Sequence, residues 1–325
     1  MVLVTKNVRL TTGVRLNSLA TPYYFDVSNF PQRRHALTRK RSVSVLTSAA
    51  VVLTTVFLTP LAVSTDPASA STDCDPGVTA PSGGAVSYIK SGDNCFIAFK
   101  NDGSVTQASF SWSVPSYVDT ANVLVVAGGG GGGNFSGGGA GEFVQKTVSL
   151  SESSYAVAVG AGGAGGGGDS SGNNPGDNGE QSQFGVVTAD GGGGGANFEY
   201  AAPDVTGASA GGGGQRTDTA GGQSIDDSDA DSFGNDGGSG SANGSNPLGG
   251  GGGGAGGPGG DASNVSGTYS APGGGGKSWS VINSATATAL SVGEVSSNLV
   301  YFAGGGAGWY GNSGTPGNFS GGIGG

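Results

Sequence analysis

Runs of glycine placed directly after β-forming residues are the feature that most constrains this chain. The stretch "VLVVAGGGGGG" (123–133) joins a sequence typical of a buried strand to six consecutive glycines, and similar tracts recur up to residue 325. Only six glycines precede Val123, and the remaining 65 of the 71 follow it. Because glycine loses more conformational entropy on ordering than any other residue, such tracts stay disordered unless dense backbone hydrogen bonding compensates.

Two familiar glycine-rich materials provide the first comparison. A collagen triple helix needs glycine at every third position together with abundant proline, whereas here glycines come in runs of four to six with few prolines between them. Collagen is therefore excluded. A flexible Gly/Ser linker remains as an alternative to an ordered domain.

Residues 1–70 differ in composition from the rest of the chain. The basic segment "RRHALTRKR" (33–41) precedes an uncharged run at 42–65, and Ala68 and Ala70 then form a small–x–small cleavage site. This order predicts a secretory signal peptide. An uncleaved transmembrane anchor is the alternative, since the run is long enough to span a bilayer. We exclude residues 1–70 from the fold as a leader, and a mis-assigned start codon would account for its long beginning.

Removal of this leader changes the charge of the protein. Residues 71–325 carry 5 basic and 21 acidic side chains, a net charge near −16, and no histidine because His35 lies in the leader. Nucleic acids are poor partners for such a chain, and we expect membrane contact only through an uncleaved leader. Without histidine, Ser-His-Asp triads and His-ligated zinc sites are excluded. We predict a protein that is not an enzyme and has no cofactor.

Both cysteines, Cys74 and Cys95, lie in the exported part of the chain. Two cysteines in an oxidising compartment most simply form one disulfide, which is worth roughly 3 kcal/mol for a loop of this length. We predict a disulfide-stapled N-terminal β segment over residues 71–104.

Alternating apolar residues predict β-strands along the rest of the chain. Phe110, Trp112 and Val114 alternate with serines, whereas residues 123–126 lack alternation and indicate a strand covered on both faces. Asp-Gly within 100–104 suggests a hairpin turn. No segment shows a convincing helical period. Further strands are expected between the glycine tracts, at 142–150, 155–163, 182–190, 279–283 and 298–306.

The order of three blocks carries a resemblance to a known family. These blocks are "FSWSVPSYVDTANVLVVAGGGGGG", "GAGEFVQKTVSLSESSYAVAVGAGGAGG" and "SQFGVVTADGGGGG". Residues 105–325 resemble the bacterial secreted glycine-rich domain, to which regions of phage tail-tip adhesins and of anaplastic lymphoma kinase-type receptor ectodomains are similar. The resemblance implies a mainly β fold, a β-sandwich-like core from which glycine tracts project as a polyglycine II-like bundle, and a surface or adhesive role.

The same resemblance implies an apolar closing strand after the last tract. The chain stops at "SGGIGG". We therefore expect a C-terminally truncated domain that lacks this strand and leaves a sheet edge exposed.

A physical hypothesis explains how the tracts could be ordered. A threefold extended helix rises about 3.1 Å per residue, and glycine, unlike proline, keeps an N–H that can donate to a neighbouring helix. Without Cβ atoms, such helices can approach closely enough for lateral N–H···O=C bonds. Several tracts held in register by strands would then compensate the entropy that a single tract cannot.

Few residues suggest a binding or catalytic site. Asp227, Asp229 and Asp231 have the alternate spacing of calcium ligands, but the loop lacks the Gly and Glu of an EF-hand, so a solvated acidic loop is the alternative. Trp309 and Tyr310 stand between glycines, where they either contact a partner or cap the bundle. "APGGGGKS" (271–278) matches a loosened phosphate-binding loop, which we interpret as coincidence because β-forming residues follow it.

The sequence thus favours a secreted or cell-surface, non-enzymatic structural or adhesive protein, whose partner is an unidentified surface, glycan or protein. One alternative is a disordered extracellular spacer that carries a small β-module at 74–122. The other is a weak calcium-dependent binding module.

Overall fold

The computed structural model describes residues 1–7, 74, 77–78, 83–166, 174–197, 207–214, 220–225, 230–241, 248–265, 268–309, 317–318 and 320–325. Residues 1–9 and 70–325 belong to one compact unit. Its elements, in chain order, are the strands β1 (Val2–Asn7), β2 (Gly84–Ser91), β3 (Asn94–Asn101), β4 (Gln107–Ser113), β5 (Thr120–Val126), β6 (Phe143–Ser149), β7 (Ser154–Gly160), β8 (Ser182–Phe184), β9 (Val187–Ala189), β10 (Ser232–Phe233), β11 (Ser263–Val265), β12 (Thr268–Ser270), β13 (Lys277–Ser278), the helix α1 (Ser284–Leu290), and the strands β14 (Glu294–Ser296), β15 (Leu299–Phe302) and β16 (Gly317–Asn318). The predicted mainly β class is confirmed.

Two antiparallel sheets pack face to face as a sandwich. The first has the order β10-β6-β5-β1-β3-β2 and the second the order β4-β7-β8-β9. Strand β4 buries alternate residues against the first sheet, as its pattern predicts, and Trp112 is fully buried there. The aromatic core is continuous, since Phe99 contacts Phe110 across the sandwich and Phe184 packs between Trp112 and Tyr155.

The first sheet is covered on its other face as well. Val123 and Val125 of β5 belong to the sandwich core, whereas Leu124 belongs to a second core with Trp279, Phe302 and the helix α1. The non-alternating run at 123–126 is therefore buried on both faces, and that prediction is confirmed.

Strand β1 overturns the exclusion of residues 1–70 from the fold. Residues 2–7 lie in the middle of the first sheet, antiparallel to β3 on one side and to β5 on the other. Val2, Leu3 and Val4 are completely buried, and burial of each such side chain contributes about 1.5–3 kcal/mol. Sequence reasoning missed this strand because the composition of the following sixty residues assigned the whole segment to a leader.

The segment 71–104 is not a separate module. Its strands β2 and β3 share a sheet with β5 and β6, so the two predicted parts, 71–104 and 105–325, form one structure. The predicted disulfide is present between Cys74 and Cys95, whose Cα atoms lie 5.3 Å apart. It attaches residue 74 to the beginning of β3.

The Asp-Gly turn and the helix also differ from expectation. The two-residue turn of a hairpin lies at 92–93, between β2 and β3, whereas Asp102-Gly103 leads from one sheet to the other. There the Ser104 backbone N–H donates to the Asp102 carboxylate at 3.0 Å and lowers its pKa. The expected strand at 279–283 is replaced by the approach to α1, where the Asn283 side chain accepts from the Thr286 N–H as an N-cap.

Candidate binding surface at the far end of the glycine bundle

The first glycine tract is bonded to its neighbours with a three-residue repeat. The backbone N–H groups of Ala127, Gly130 and Gly133 donate to the carbonyls of Glu142, Gly139 and Ser136, in that order. Those of Gly128 and Gly131 donate to a different tract, at Glu180 and Asp177. A repeat of three residues is the signature of a threefold extended helix, in which successive residues face different neighbours.

Carbonyl groups of the same tract follow the same repeat. Those of Gly129 and Gly132 accept from Gly163 and Gly166, and those of Gly128 and Gly131 accept from Gly192 and Gly195. One tract therefore contacts four others through its backbone alone. The hypothesis of lateral bonding between glycine tracts is confirmed for the described residues. We call this assembly the glycine bundle (127–142, 161–166, 174–181, 190–196, 207–214, 234–240, 248–260, 271–276, 303–309 and 320–325).

The absence of Cβ atoms is required at some positions of this bundle and not at others. A Cβ built on Gly130 would lie 2.1 Å from the carbonyl oxygen of Gly193, and one on Gly131 would lie 2.0 Å from that of Ala164. At Gly129 and Gly132 the nearest atom would be 3.5 Å away, which is an ordinary van der Waals contact. The tolerant positions recur every third residue, as the threefold repeat demands.

The near end of the bundle adjoins the sandwich through a buried acid. Glu142, 6% exposed, precedes β6. Its Oε2 accepts from the Asp190 N–H at 2.6 Å, and its Oε1 accepts from the Ser232 hydroxyl. Since Asp190 follows β9 and Ser232 begins β10, this carboxylate joins both sheets to the starting points of two tracts. Nothing in the sequence distinguished Glu142 from the solvent-exposed acids.

The opposite end of the bundle presents the predicted aromatic residue. The Trp309 N–H donates to the Phe135 carbonyl at 2.6 Å, and the Trp309 carbonyl accepts from the Gly249 N–H at 3.2 Å. Gly133 and Ser136 bond to each other in the same turn region. We define the far-end surface as Phe135 and Trp309, which lie above the buried residues Leu248 and Gly249.

Trp309 is fixed through its backbone while its side chain stays accessible. The residue is 55% exposed, whereas the neighbouring Leu248 is completely buried. An aromatic side chain on a backbone held from two sides loses little further entropy on contact with a partner. Tyr310, predicted beside it, lies outside the described residues.

Other predicted residues fall largely outside the described parts of the chain. These are Asp227 and Asp229 of the acidic loop, Ala68 and Ala70 of the cleavage site, and the apolar run at 42–65. The Asp231 carbonyl accepts from the Gln145 N–H at 2.9 Å. Within the described ranges, no three His, Cys, Asp or Glu residues come together as metal ligands. No helix among the described residues is long and apolar enough to cross a bilayer.

Lys277 and Ser278 of the phosphate-loop match form strand β13, which pairs with β15. The Lys277 ammonium lies 3.7 Å from the centre of the Phe233 ring, so it makes a cation–π contact beside β6. A cleft of about 440 Å³ opens nearby, lined by Lys146, Asp231 and Trp279 among others.

Comparison with known proteins identifies the glycine-rich region alone. No curated protein and no solved structure matched the chain. A family model described as a glycine-rich domain matches residues 104–325, which begin just before β4 and include the second sandwich sheet, strands β5, β6 and β10 of the first sheet, and the whole bundle. This chain therefore belongs to the glycine-rich domain family.

Proposed function

We propose that this protein is a secreted or cell-surface, non-enzymatic structural and adhesive protein. In this proposal the sandwich anchors the glycine bundle, and the bundle holds the far-end surface away from the sandwich for contact with a surface, a glycan or another protein. Export would use the leader, with cleavage after Ala70. An anchor formed by the uncleaved run at 42–65 is the alternative route to the cell surface.

The bonding pattern of the tracts is the observation that carries the proposal. A flexible spacer would leave glycine N–H groups to water, whereas the described tracts exchange hydrogen bonds of about 2.8–3.0 Å with several neighbours. Backbone bonding of this density makes a stiff body from residues without side chains. Stiffness is what a protein needs in order to display a contact surface at a fixed position.

The exposed aromatic residue supports an adhesive role over a purely structural one. Tryptophan is enriched among residues that dominate binding energy, and Trp309 is exposed at the tip of a stiff support. The net charge of −16 in residues 71–325 favours neutral or basic partners over anionic ones.

Amide hydrogen exchange tests the ordered bundle. Exchange of the 128–133 and 191–196 amides should be slow, close to that of the sandwich strands β5 and β7. Exchange at random-coil rates throughout the tracts would favour the disordered spacer, and scattering would then give chain-like dimensions.

Binding measurements test the far-end surface. We expect the purified chain to bind to one or more members of a printed array of neutral and basic glycans or to plates coated with extracellular-matrix protein. Trp309→Ala should weaken that binding about tenfold or more, as loss of a central aromatic contact does. Val186→Ala is the matched control, because Val186 is 94% exposed in the β8–β9 turn. Equal binding by the two variants would refute the assigned surface.

A further inference from the structure

The position of β1 creates a site that the proposed function does not use. Its neighbours β3 and β5 are not bonded to each other in this sheet, because β1 lies between them. The register runs from Val2 opposite Phe99 to Asn7 opposite Asn94 on one side, and from Val2 opposite Val125 to Thr5 opposite Asn122 on the other. Without β1 the first sheet would have a slot one strand wide, with an unpaired backbone on each side.

Export would empty this slot. Cleavage after Ala70 separates Val2–Asn7 from the rest of the chain, and a membrane-spanning run at 42–65 would leave residues 1–7 and β3 on opposite sides of the bilayer. Either form of the proposed export therefore removes β1 from the sheet. Cys74 would stay attached to Cys95, which lies opposite Lys6 in the register, so the new chain start would be held at one end of the slot.

We propose that the slot between β3 and β5 is a strand-acceptor site, which binds an extended, apolar polypeptide strand of another molecule antiparallel to both neighbours. That the slot is empty in the exported chain rests on the proposed function. The kind of strand that the slot accepts is inferred from the residues of β1. Strand addition of this kind combines backbone hydrogen bonds with side-chain pockets on alternate faces.

The chemistry of the partner follows from the residues that β1 buries. Val2 and Val4 enter the sandwich core beside Ile97 and Val123, whereas Leu3 enters the second core beside Leu124. All three are fully buried. A partner strand must therefore carry apolar side chains at three successive positions, which distinguishes it from the alternating pattern of a surface strand.

One position of β1 is poorly matched to the slot, so a strand without this mismatch can replace it. The Thr5 hydroxyl is buried without a hydrogen-bond partner. Burial of a polar group without a hydrogen bond costs free energy that an apolar residue would not cost.

The other end of the slot continues past β1. The Met1 amine donates to the Val126 carbonyl at 2.6 Å, and burial lowers its pKa from 8.0 to about 5. Beside Met1 lies a cleft of about 420 Å³ lined by Lys100, Asn101 and Val292 among others. A strand that continues through this position with a peptide bond avoids the buried amine and gains room.

Strand exchange in the full chain tests the site. A protease recognition sequence inserted between Gly13 and Val14 lets the complete chain fold before β1 is cut free. A peptide of residues 1–7, labelled after a C-terminal Gly-Ser spacer, is then added, and its uptake is followed by fluorescence anisotropy and native mass spectrometry. We expect the peptide to replace the cut strand. The uncut chain should take up far less of it.

Peptide variants identify the basis of binding. Acetylation of the peptide amine should strengthen binding about tenfold at pH 7, as follows from its depressed pKa. Thr5→Val should strengthen binding roughly tenfold, because it removes the buried hydroxyl. Val4→Asp should abolish uptake, although it leaves the length and register of the peptide unchanged.

A second chain is needed if the cut β1 strand dissociates from the slot too slowly for peptide exchange to be measured. The chain with the inserted site and Val4→Asp supplies a weakened strand, which the unmodified peptide should replace after cutting. Uptake in neither chain, or equal uptake of the Val4→Asp peptide, would overturn the proposal. N-terminal sequencing of the exported protein separates the two ideas, since a start before Ser71 contradicts cleavage after Ala70 while leaving the exchange result intact.

Discussion

Replacement of Gly130 by alanine should destabilise the fold strongly, whereas the same replacement at Gly129 should not. The added Cβ at Gly130 would lie 2.1 Å from the Gly193 carbonyl oxygen, against 3.5 Å from the nearest atom at Gly129. An ordinary contact begins near 3.4 Å, so the tract that contains Gly193 would have to move by more than 1 Å. The two variants have identical composition and lie in the same tract.

The magnitude follows from the bonds that such a movement breaks. The Gly193 carbonyl accepts from Gly139 at 2.8 Å and its N–H donates to Ser209 at 2.9 Å. Loss of two hydrogen bonds costs about 1–3 kcal/mol, and overpacking costs about 1–3 kcal/mol more. Alanine also reduces the conformational entropy of the unfolded chain, which stabilises both variants by about 0.4–1 kcal/mol. Gly130→Ala should therefore lose about 1–6 kcal/mol of stability, while Gly129→Ala should gain up to about 1 kcal/mol.

Urea unfolding measured by circular dichroism gives this difference directly. The entropy gain is common to both variants, so they should differ by about 2–6 kcal/mol, and at about 2–4 °C per kcal/mol for a domain of this size thermal unfolding should give melting temperatures at least roughly 4 °C apart. Gly131→Ala and Gly132→Ala form a second pair, with Cβ distances of 2.0 and 3.5 Å. Equal stabilities within a pair, to about 0.5 kcal/mol, would refute the argument that close lateral contact requires glycine at these positions.

Three further predictions concern the strand β1, the disulfide and the far-end surface. In the 325-residue chain, the Met1 amine has its pKa lowered to about 5, so the unfolded chain binds the additional proton below pH 8. Stability should be full above pH 8 and fall by up to about 4 kcal/mol towards pH 5, and N-terminal acetylation should remove this dependence in pH-dependent unfolding. Cys74→Ser with Cys95→Ser should cost about 3 kcal/mol in urea unfolding, and a reduced wild-type chain of unchanged stability would contradict this. Trp309→Ala should shift the melting temperature by less than about 2 °C in calorimetry, because the side chain is 55% exposed, and a larger shift would make Trp309 a cap of the bundle.

The residue pattern within a single segment was sufficient to predict the burial of strands β4 and β5 and the bonding of the glycine tracts. Alternating serines predicted the single buried face of β4, and the unbroken apolar run predicted that β5 is buried on both faces. The glycine runs themselves implied lateral backbone bonding, since no other interaction could order them. These inferences depend on residue types and spacings within one segment, which is the information that a sequence states directly.

The tertiary structure alone decided how separate segments meet. Residues 2–7 pair with strands that lie 87 or more residues away in sequence (94 − 7 = 87 for Asn7 and Asn94). No local pattern records a pairing over that distance. The same holds for Glu142, which became a junction only when Asp190 and Ser232 were brought to it. Gly129 and Gly130 are chemically identical in sequence, yet an added Cβ would lie 3.5 Å from the nearest carbonyl oxygen at Gly129 and only 2.1 Å from one at Gly130. The threefold turn of the backbone and the placement of neighbouring tracts distinguish them, and both arise only on folding.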